Sequence, residues 1–200
     1  MLPAELLLAS HNPGKVKEFQ RLLSPYQIVV KAPYATDQDL VEETGSTYWE
    51  NARLKAVHVA KSTGMVTLAD DSGVEVEALD GAPGIHSARF VSESAWENSR
   101  EILLRLMDVP VARRGARMVA VLVVVDGEGR EIASSQGVLE GTILTFPKGR
   151  GGFGVDPIFS VDGTTSLAEW PAEEKDRWSH RGRAVRQLIE LYGPPPAGLG

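Results

Sequence analysis

The 200-residue chain contains no cysteine, which excludes disulfides and thiolate metal sites outright. Its four histidines, His11, His58, His86 and His180, lie far apart and show no zinc-type spacing. There is no basic excess either. A net charge of -6 argues against a general nucleic-acid coat, although it leaves room for a local basic pocket that takes a small polyanion. No stretch approaches bilayer length, and Met1-Leu2-Pro3-Ala4-Glu5 leads into a short apolar run without a basic leader or a long hydrophobic region. The expectation is a soluble, cytoplasmic protein with neither membrane nor nucleic acid as partner. Repeats and clean linkers are also lacking. A hydrophobic content of 42% suffices for a real core. Residues 1–192 therefore read as a single domain of two lobes, with a flexible proline- and glycine-rich tail over residues 193–200 that is expected to fray.

What is present alternates between strand and helix patterns. Leu6-Leu7-Leu8-Ala9 reads as a short buried strand, and Val16, Phe19, Leu22 and Leu23 recur at helical spacing. Ile28-Val29-Val30 completes a strand-helix-strand unit of the α/β kind. Thr47 and Glu50 form a capping box, opening a helix through Ala52, Ala56, Val59 and Ala60 that stops near Gly64. Gly81-Ala82-Pro83-Gly84 reads as a turn or loop. Ile102, Leu103, Leu106 and Met107 mark another helix. Met118 through Val125 is an unbroken apolar run, hence a central strand buried on both faces. Asp126-Gly127-Glu128-Gly129 turns it into a strand through Ile132 and Val138, giving a long hairpin. Ser179 caps a last helix carrying Val185, Leu188, Ile189 and Leu191. The expected fold class is α/β with a long central sheet in two lobes about a cleft.

Chemistry concentrates in the loops. Residues 65–68 read as a strand closed by Asp70 and Asp71 and followed by a Ser72-Gly73 turn. Successive strand side chains face opposite ways, so the two carboxylates cannot do the same job. Such a pair suits a hard cation or a general base. Ser10-His11-Asn12-Pro13-Gly14-Lys15 joins a strand to a helix and should present free backbone N–H groups and an ammonium to an anion. It is not a Walker A loop, because the leading glycine is missing and Val16 follows Lys15. Glu42 and Glu43 precede the capped helix, where acidic residues suit the dipole and read as solvated. Lys55, one turn beyond Asn51, likewise reads as solvent-facing. The glycines around Phe153 sacrifice backbone entropy, a cost accepted for close approach, and frame an aromatic suited to stacking on a base. Lys175 and Ser179-His180-Arg181-Gly182 place positive charge at the start of the last helix. There it opposes the helix dipole and favours an anionic or carbonyl partner.

Taken in order from Leu6 to Leu191, these loops resemble the inosine/xanthosine triphosphate pyrophosphatase family, which hydrolyses non-standard purine nucleoside triphosphates. The motifs that carry the resemblance include Ser10 to Lys15, Glu42 to Gly45, Glu50-Asn51-Ala52, Ala69 to Gly73, Gly81 to Ile85, Gly151 to Gly154, Asp156 to Phe159, Glu173-Glu174-Lys175 and Ser179 to Gly182. The resemblance implies an elongated mixed sheet flanked by helices, two lobes around a nucleotide-binding cleft, and a homodimer. It also implies a Mg²⁺-dependent cut between the α- and β-phosphates of ITP, dITP or XTP. Asp71 would then be the general base and a metal ligand, with Glu42 the other ligand. Ser72 and the loop Ser10, His11, Asn12, Pro13, Gly14 and Lys15 would hold the phosphates. Phe153, Gly154, Val155 and Asp156 would clasp base and sugar, and Lys175, His180 and Arg181 would complete the pocket. Two positions depart from the family pattern: Val155 stands where a large aromatic is common, and His11 where a small residue is common.

Overall fold

The computed structural model describes residues 1–32 and 41–196; residues 197–200 of the tail expected to fray lie outside them. The elements are β1 (Glu5–Leu8), α1 (Pro13–Leu23), β2 (Val29–Lys31), α2 (Tyr48–Thr63), β3 (Thr67–Val76), α3 (Ala95–Arg105), β4 (Gly115–Val125), β5 (Glu131–Ile143), β6 (Phe159–Ser160), α4 (Ala172–Trp178) and α5 (His180–Tyr192). The strands form one six-stranded sheet in the order β2-β1-β3-β4-β5-β6. β1 runs parallel to both β2 and β3, whereas β5 and β6 are antiparallel, so the sheet is mixed. The α/β class is therefore the observed one. Among the described residues no helix is long and apolar enough to cross a membrane.

Two compact units divide the chain, and β3, β4 and β5 each pass from one to the other. The first comprises Met1–Asp71, Ala120–Gly137 and the chain from Arg181 onward. Its core joins alternate residues of the sheet, Leu6 and Leu8, Leu68, and Ala120, Leu122 and Val124, to Phe19, Leu22 and Leu23 of α1 and Ala184, Val185 and Leu188 of α5. Alternation puts these strand residues on one sheet face, so α1 and α5 cover that face. Every residue of β4 from Met118 to Val125 is buried, as its unbroken apolar run requires. α2 begins at Thr47 with both halves of the capping box formed and ends at Gly64 in the left-handed conformation. Its buried face consists of Asn51, Ala52, Ala56 and Ala60.

Among the described residues no strand lies outside the first half of β5, since β6 pairs with Thr142 and Ile143. Helix α5 covers that edge with side chains. Tyr192 Oη accepts from Ser134 N–H, Gln187 Oε1 accepts from Gln136 N–H, and Ser135 Oγ donates to the Ala184 carbonyl. The Ser134 and Gln136 N–H groups, which could otherwise recruit another strand, are thereby satisfied. Just beyond the C-terminal end of α5 the chain is also tied down, for Leu2 N–H donates to the Gly193 carbonyl at 3.1 Å.

The second unit comprises Ser72–Val119 and Val138–His180. Val74, Val76, Ala116, Met118, Leu139 and Ile143 from the strands pack with Ile102 and Leu106 and with Ile158, Phe159 and Leu167. One expectation fails here. The chain does not turn at Ser72-Gly73; β3 continues through both carboxylates to Val76. The physical reason is that each carboxylate is met by cations, which removes the penalty for holding charge inside a strand. Lys175 also lies elsewhere than expected, within the short helix α4 and not at the start of the last one.

Phe19, fully buried beneath the α1–sheet contact, sets the packing of the first unit. Phe19→Ala should lower unfolding free energy by about 3–5 kcal/mol in urea titrations. A loss below about 1 kcal/mol would contradict the assigned core.

Candidate active site

Topology brings the first set of functional side chains together. β1 connects through α1 to β2 on one side, while β3 lies on the other side of β1. Connections that leave a strand in opposite directions open a crevice beyond its carboxyl end, the usual ligand position in α/β sheets. β1 pairs with β3 as far as Leu8 and Leu68, so Asp70 and Asp71 lie just past the end of β1, level with the loop that carries Lys15.

Asp70 shares its sheet face with Leu68 and therefore points toward α1 and α5. Its Oδ2 atom meets Lys15 Nζ at 2.7 Å and Arg181 Nε at 3.3 Å. Arg181 also donates through Nη1 to Glu18 Oε2 at 3.3 Å. Asp70, Glu18 and Arg181 are all buried, and Lys15 is nearly so. Burial alone would raise the Asp70 pKa, but Arg181 and Lys15 outweigh it and hold the carboxyl well below the ordinary range. Lys15 shifts the other way: burial lowers its pKa, reinforced by Arg181 and Lys55, more than Asp70 raises it.

Asp71 points to the opposite face, where α2 supplies Lys55. The ammonium donates to Asp71 Oδ1 at 2.6 Å, Glu43 Oε1 at 2.9 Å and the Asp70 carbonyl at 3.0 Å. Burial lowers the Lys55 pKa, yet Asp71 and Glu43 together raise it further. For Asp71 the balance is reversed, because burial raises its pKa by more than Lys55 lowers it. Asp71 Oδ2 is buried without a hydrogen-bond partner. One oxygen of this carboxylate is thus fixed by a lysine, and the other is left to accept from something else. Glu43 is held in place through the start of α2, where Asn51 Oδ1 accepts from Gly45 N–H and Glu50 Oε2 accepts from Ser46 N–H. Of the two glutamates before α2, Glu43 shares Lys55 with Asp71, whereas Glu42 is exposed. Among the described residues no three His, Asp or Glu side chains gather closely enough to hold a metal by themselves.

The loop from Ser10 to Lys15 differs from expectation. Asn12 is the N-cap of α1 and its Oδ1 accepts from Gly14 N–H at 2.8 Å and Lys15 N–H at 3.4 Å. Ser10 Oγ accepts from Asn12 N–H. Pro13 at the first helical position has no N–H to offer. The donors expected to be free for an anion are therefore engaged within the loop, and the Lys15 ammonium is its principal positive group. His11 is exposed beside it.

In the second unit the glycine-rich loop is organised by one buried carboxylate. Asp156 Oδ2 accepts from Phe153 N–H at 2.7 Å and from Lys175 Nζ at 2.6 Å. The same ammonium stands 4.8 Å from the centre of the Phe153 ring, a cation–π contact. Gly152 has φ 67°, and a Cβ there would run into the Asp156 carboxylate, so glycine is required twice over. Asp156 thus supports the loop from beneath. Val155 packs against the hydrophobic core of this unit. Ser72 lies within β3, and His180 is the buried first residue of α5. The two sets adjoin in sequence at Asp71-Ser72 and at His180-Arg181.

Two participants escape a reading by composition. Lys55 sits one turn beyond the buried Asn51, on the face α2 turns inward, and is not solvent-facing. Glu18 adjoins Phe19 on the apolar stripe of α1. The signal for both is the same, a charge placed on a buried helix face, which is tolerated only with a partner.

Carboxylates and ammonium groups gathered at the switch point of a mixed sheet, in a chain that also carries an aromatic on a glycine frame, mark an α/β enzyme that acts on a phosphorylated substrate. The chain belongs to the Ham1 family, whose model matches residues 6–191. It is similar to a dITP/XTP pyrophosphatase of Thermus thermophilus, with 45% identity over 96% of this chain and 94% of that one. A solved HAM1 protein from Coxiella burnetii is 38% identical and superposes with a TM-score of 0.80, covering 96% of this chain and 98% of that chain. The nucleoside-triphosphatase and dITP/XTP pyrophosphatase of Mycobacterium abscessus is 40% identical with a TM-score of 0.70, over 92% of this chain and 98% of that chain.

Arg181 is the cation that Asp70 and Glu18 share, so its removal strands buried charge. Arg181→Met should lower unfolding free energy by about 3 kcal/mol or more. Urea midpoints equal to wild type would show that the pair contributes nothing.

Proposed function

We propose that this protein hydrolyses the non-standard purine nucleoside triphosphates ITP, dITP and XTP to the monophosphate and pyrophosphate, clearing them from the nucleotide pool. The single observation that carries the reading is the divided setting of the adjacent carboxylates, with Asp70 neutralised by Lys15 and Arg181 on one sheet face and Asp71 held by Lys55 beside Glu43 on the other. A carboxyl whose pKa is raised by burial is a better proton acceptor than an ordinary aspartate. In this reading Asp71 takes a proton from the attacking water. Lys15 and Lys55 stabilise the charge that develops on the departing pyrophosphate.

The residues around Asp71 fit a hard divalent cation. Asp71 Oδ2 is an unsatisfied buried acceptor, and Glu43 supplies a second carboxylate on the same lysine. Glu43 is favoured over Glu42, which is exposed. Two carboxylates without a third ligand among the described residues suit Mg²⁺, which keeps waters and takes substrate phosphate oxygens. Mg²⁺ bound there would neutralise phosphate charge and acidify a water. Ser10, Asn12, Gly14 and Ser72 belong to the phosphate end of the substrate, with the Asn12 cap opening as the phosphates arrive. Phe153 to Asp156 and Lys175 belong to the base and sugar. The 6-oxo group of hypoxanthine or xanthine accepts a hydrogen bond, which donors on His180 or Arg181 can supply. An adenine amino group would leave such a donor unpaired, and a site of this kind rejects the wrong partner by roughly four to five powers of ten. A homodimer, which rests on the family resemblance, and a cytoplasmic location, which rests on the sequence reading, belong to the same proposal.

Incubation with ITP and Mg²⁺ should release pyrophosphate and inosine monophosphate in equal amounts, as followed by ion-exchange chromatography. Inosine diphosphate with orthophosphate would contradict the reading. Asp71→Asn should abolish turnover while nucleotide binding largely survives. Near-wild-type turnover in that variant would remove Asp71 as the base.

A further inference from the structure

Helix α3 carries two adjacent buried polar residues, Asn98 and Ser99, and neither serves the helix itself. Asn98 Oδ1 accepts from Val91 N–H and Ser92 N–H, and its Nδ2 donates to the Ala88 and Ser92 carbonyls. That amide is spent on the stretch leading into the helix. Ser99 does something different. Its Oγ donates to the Gly154 carbonyl at 3.2 Å, 55 residues away in sequence. A serine inside a helix ordinarily bonds a carbonyl of its own preceding turn, and alanine would be the better helix former. The hydroxyl instead leaves the helix to meet the glycine loop.

We propose that Ser99 is a positioning residue that fixes the orientation of Phe153 by holding the Gly154 carbonyl; this rests on the base-clasping role given to that loop in the proposed function. Gly154 has φ 64°, and a Cβ there would meet nothing within 4 Å, so side-chain packing does not set the orientation of this peptide. Two buried polar anchors do. Asp156 takes the N–H of Phe153 at 2.7 Å, and Ser99 takes the carbonyl of the following residue at 3.2 Å. The aromatic residue is bracketed between them. Ser99 in turn is rigid, because Ile102 and Leu106, one and two turns further along, are fully buried in the core of the second unit. A loop of glycines has many conformations to lose on binding a base, and each anchor made in advance removes part of that cost. Ser99 therefore acts on affinity for the base and not on the chemistry at the phosphates.

Steady-state kinetics with ITP, alongside inhibition by inorganic tripolyphosphate, separate positioning from mere stability, because tripolyphosphate lacks a base. Ser99→Ala should raise KM for ITP by about fivefold, the worth of one ordinary hydrogen bond. It should leave kcat and tripolyphosphate inhibition unchanged, and Ser99→Thr, which keeps the hydroxyl, should retain the wild-type KM. An unchanged KM in Ser99→Ala, or equal weakening of ITP and tripolyphosphate, overturns the proposal. The wild-type control tests the pyrophosphatase reading on its own, since a wild-type protein inactive on ITP fails before any variant is compared.

Discussion

Two neighbouring carboxylates in the interior of a buried strand impose a demand that the first unit is arranged to meet. Because strand side chains alternate, Asp70 and Asp71 face opposite sides of the sheet and need separate cations. Helices α1 and α5 bring Lys15 and Arg181 to one side, and α2 brings Lys55 to the other. Glu18 and Glu43 then balance the cations in their turn. Remove this compensation and the strand could not continue to Val76, nor could the sheet present charged groups at the switch point. The result is asymmetric in a useful way. Asp70 lies between two cations that hold its carboxyl well below the ordinary range, while burial raises the Asp71 pKa by more than Lys55 lowers it.

The second unit solves a different problem with the same kind of device. A glycine-rich loop gains the freedom to approach a ligand closely and loses definition in exchange. A buried Asp156 restores that definition by accepting from the loop backbone and from Lys175, whose ammonium also faces the Phe153 ring. Asp156 and Lys175 thus frame the loop that the proposed function sets against base and sugar.

Much of this is legible in the sequence, because strong local signals agree with the fold. The capping box at Thr47, the apolar run from Met118 to Val125 and the hairpin at Asp126 all lie where their residue types require. The misreadings share a cause. Asp-Asp-Ser-Gly has the composition of a turn, yet it sits inside β3, since the cations that make it tolerable come from helices distant in sequence. Lys55 reads as an ordinary surface lysine because its carboxylate partners lie 12 and 16 residues away. Asn12 sits in a loop that should await an anion, but it caps its own helix. Local propensity identifies elements well; which charge meets which is a tertiary property.

If Asp71 directs water to the α-phosphorus, pyrophosphate is the leaving group and the new oxygen belongs to the monophosphate. Turnover of ITP in water enriched in heavy oxygen, followed by mass spectrometry of the products, tests this directly. The label is expected in inosine monophosphate, with none in pyrophosphate. Label in pyrophosphate, or in orthophosphate, would contradict the role given to Asp71.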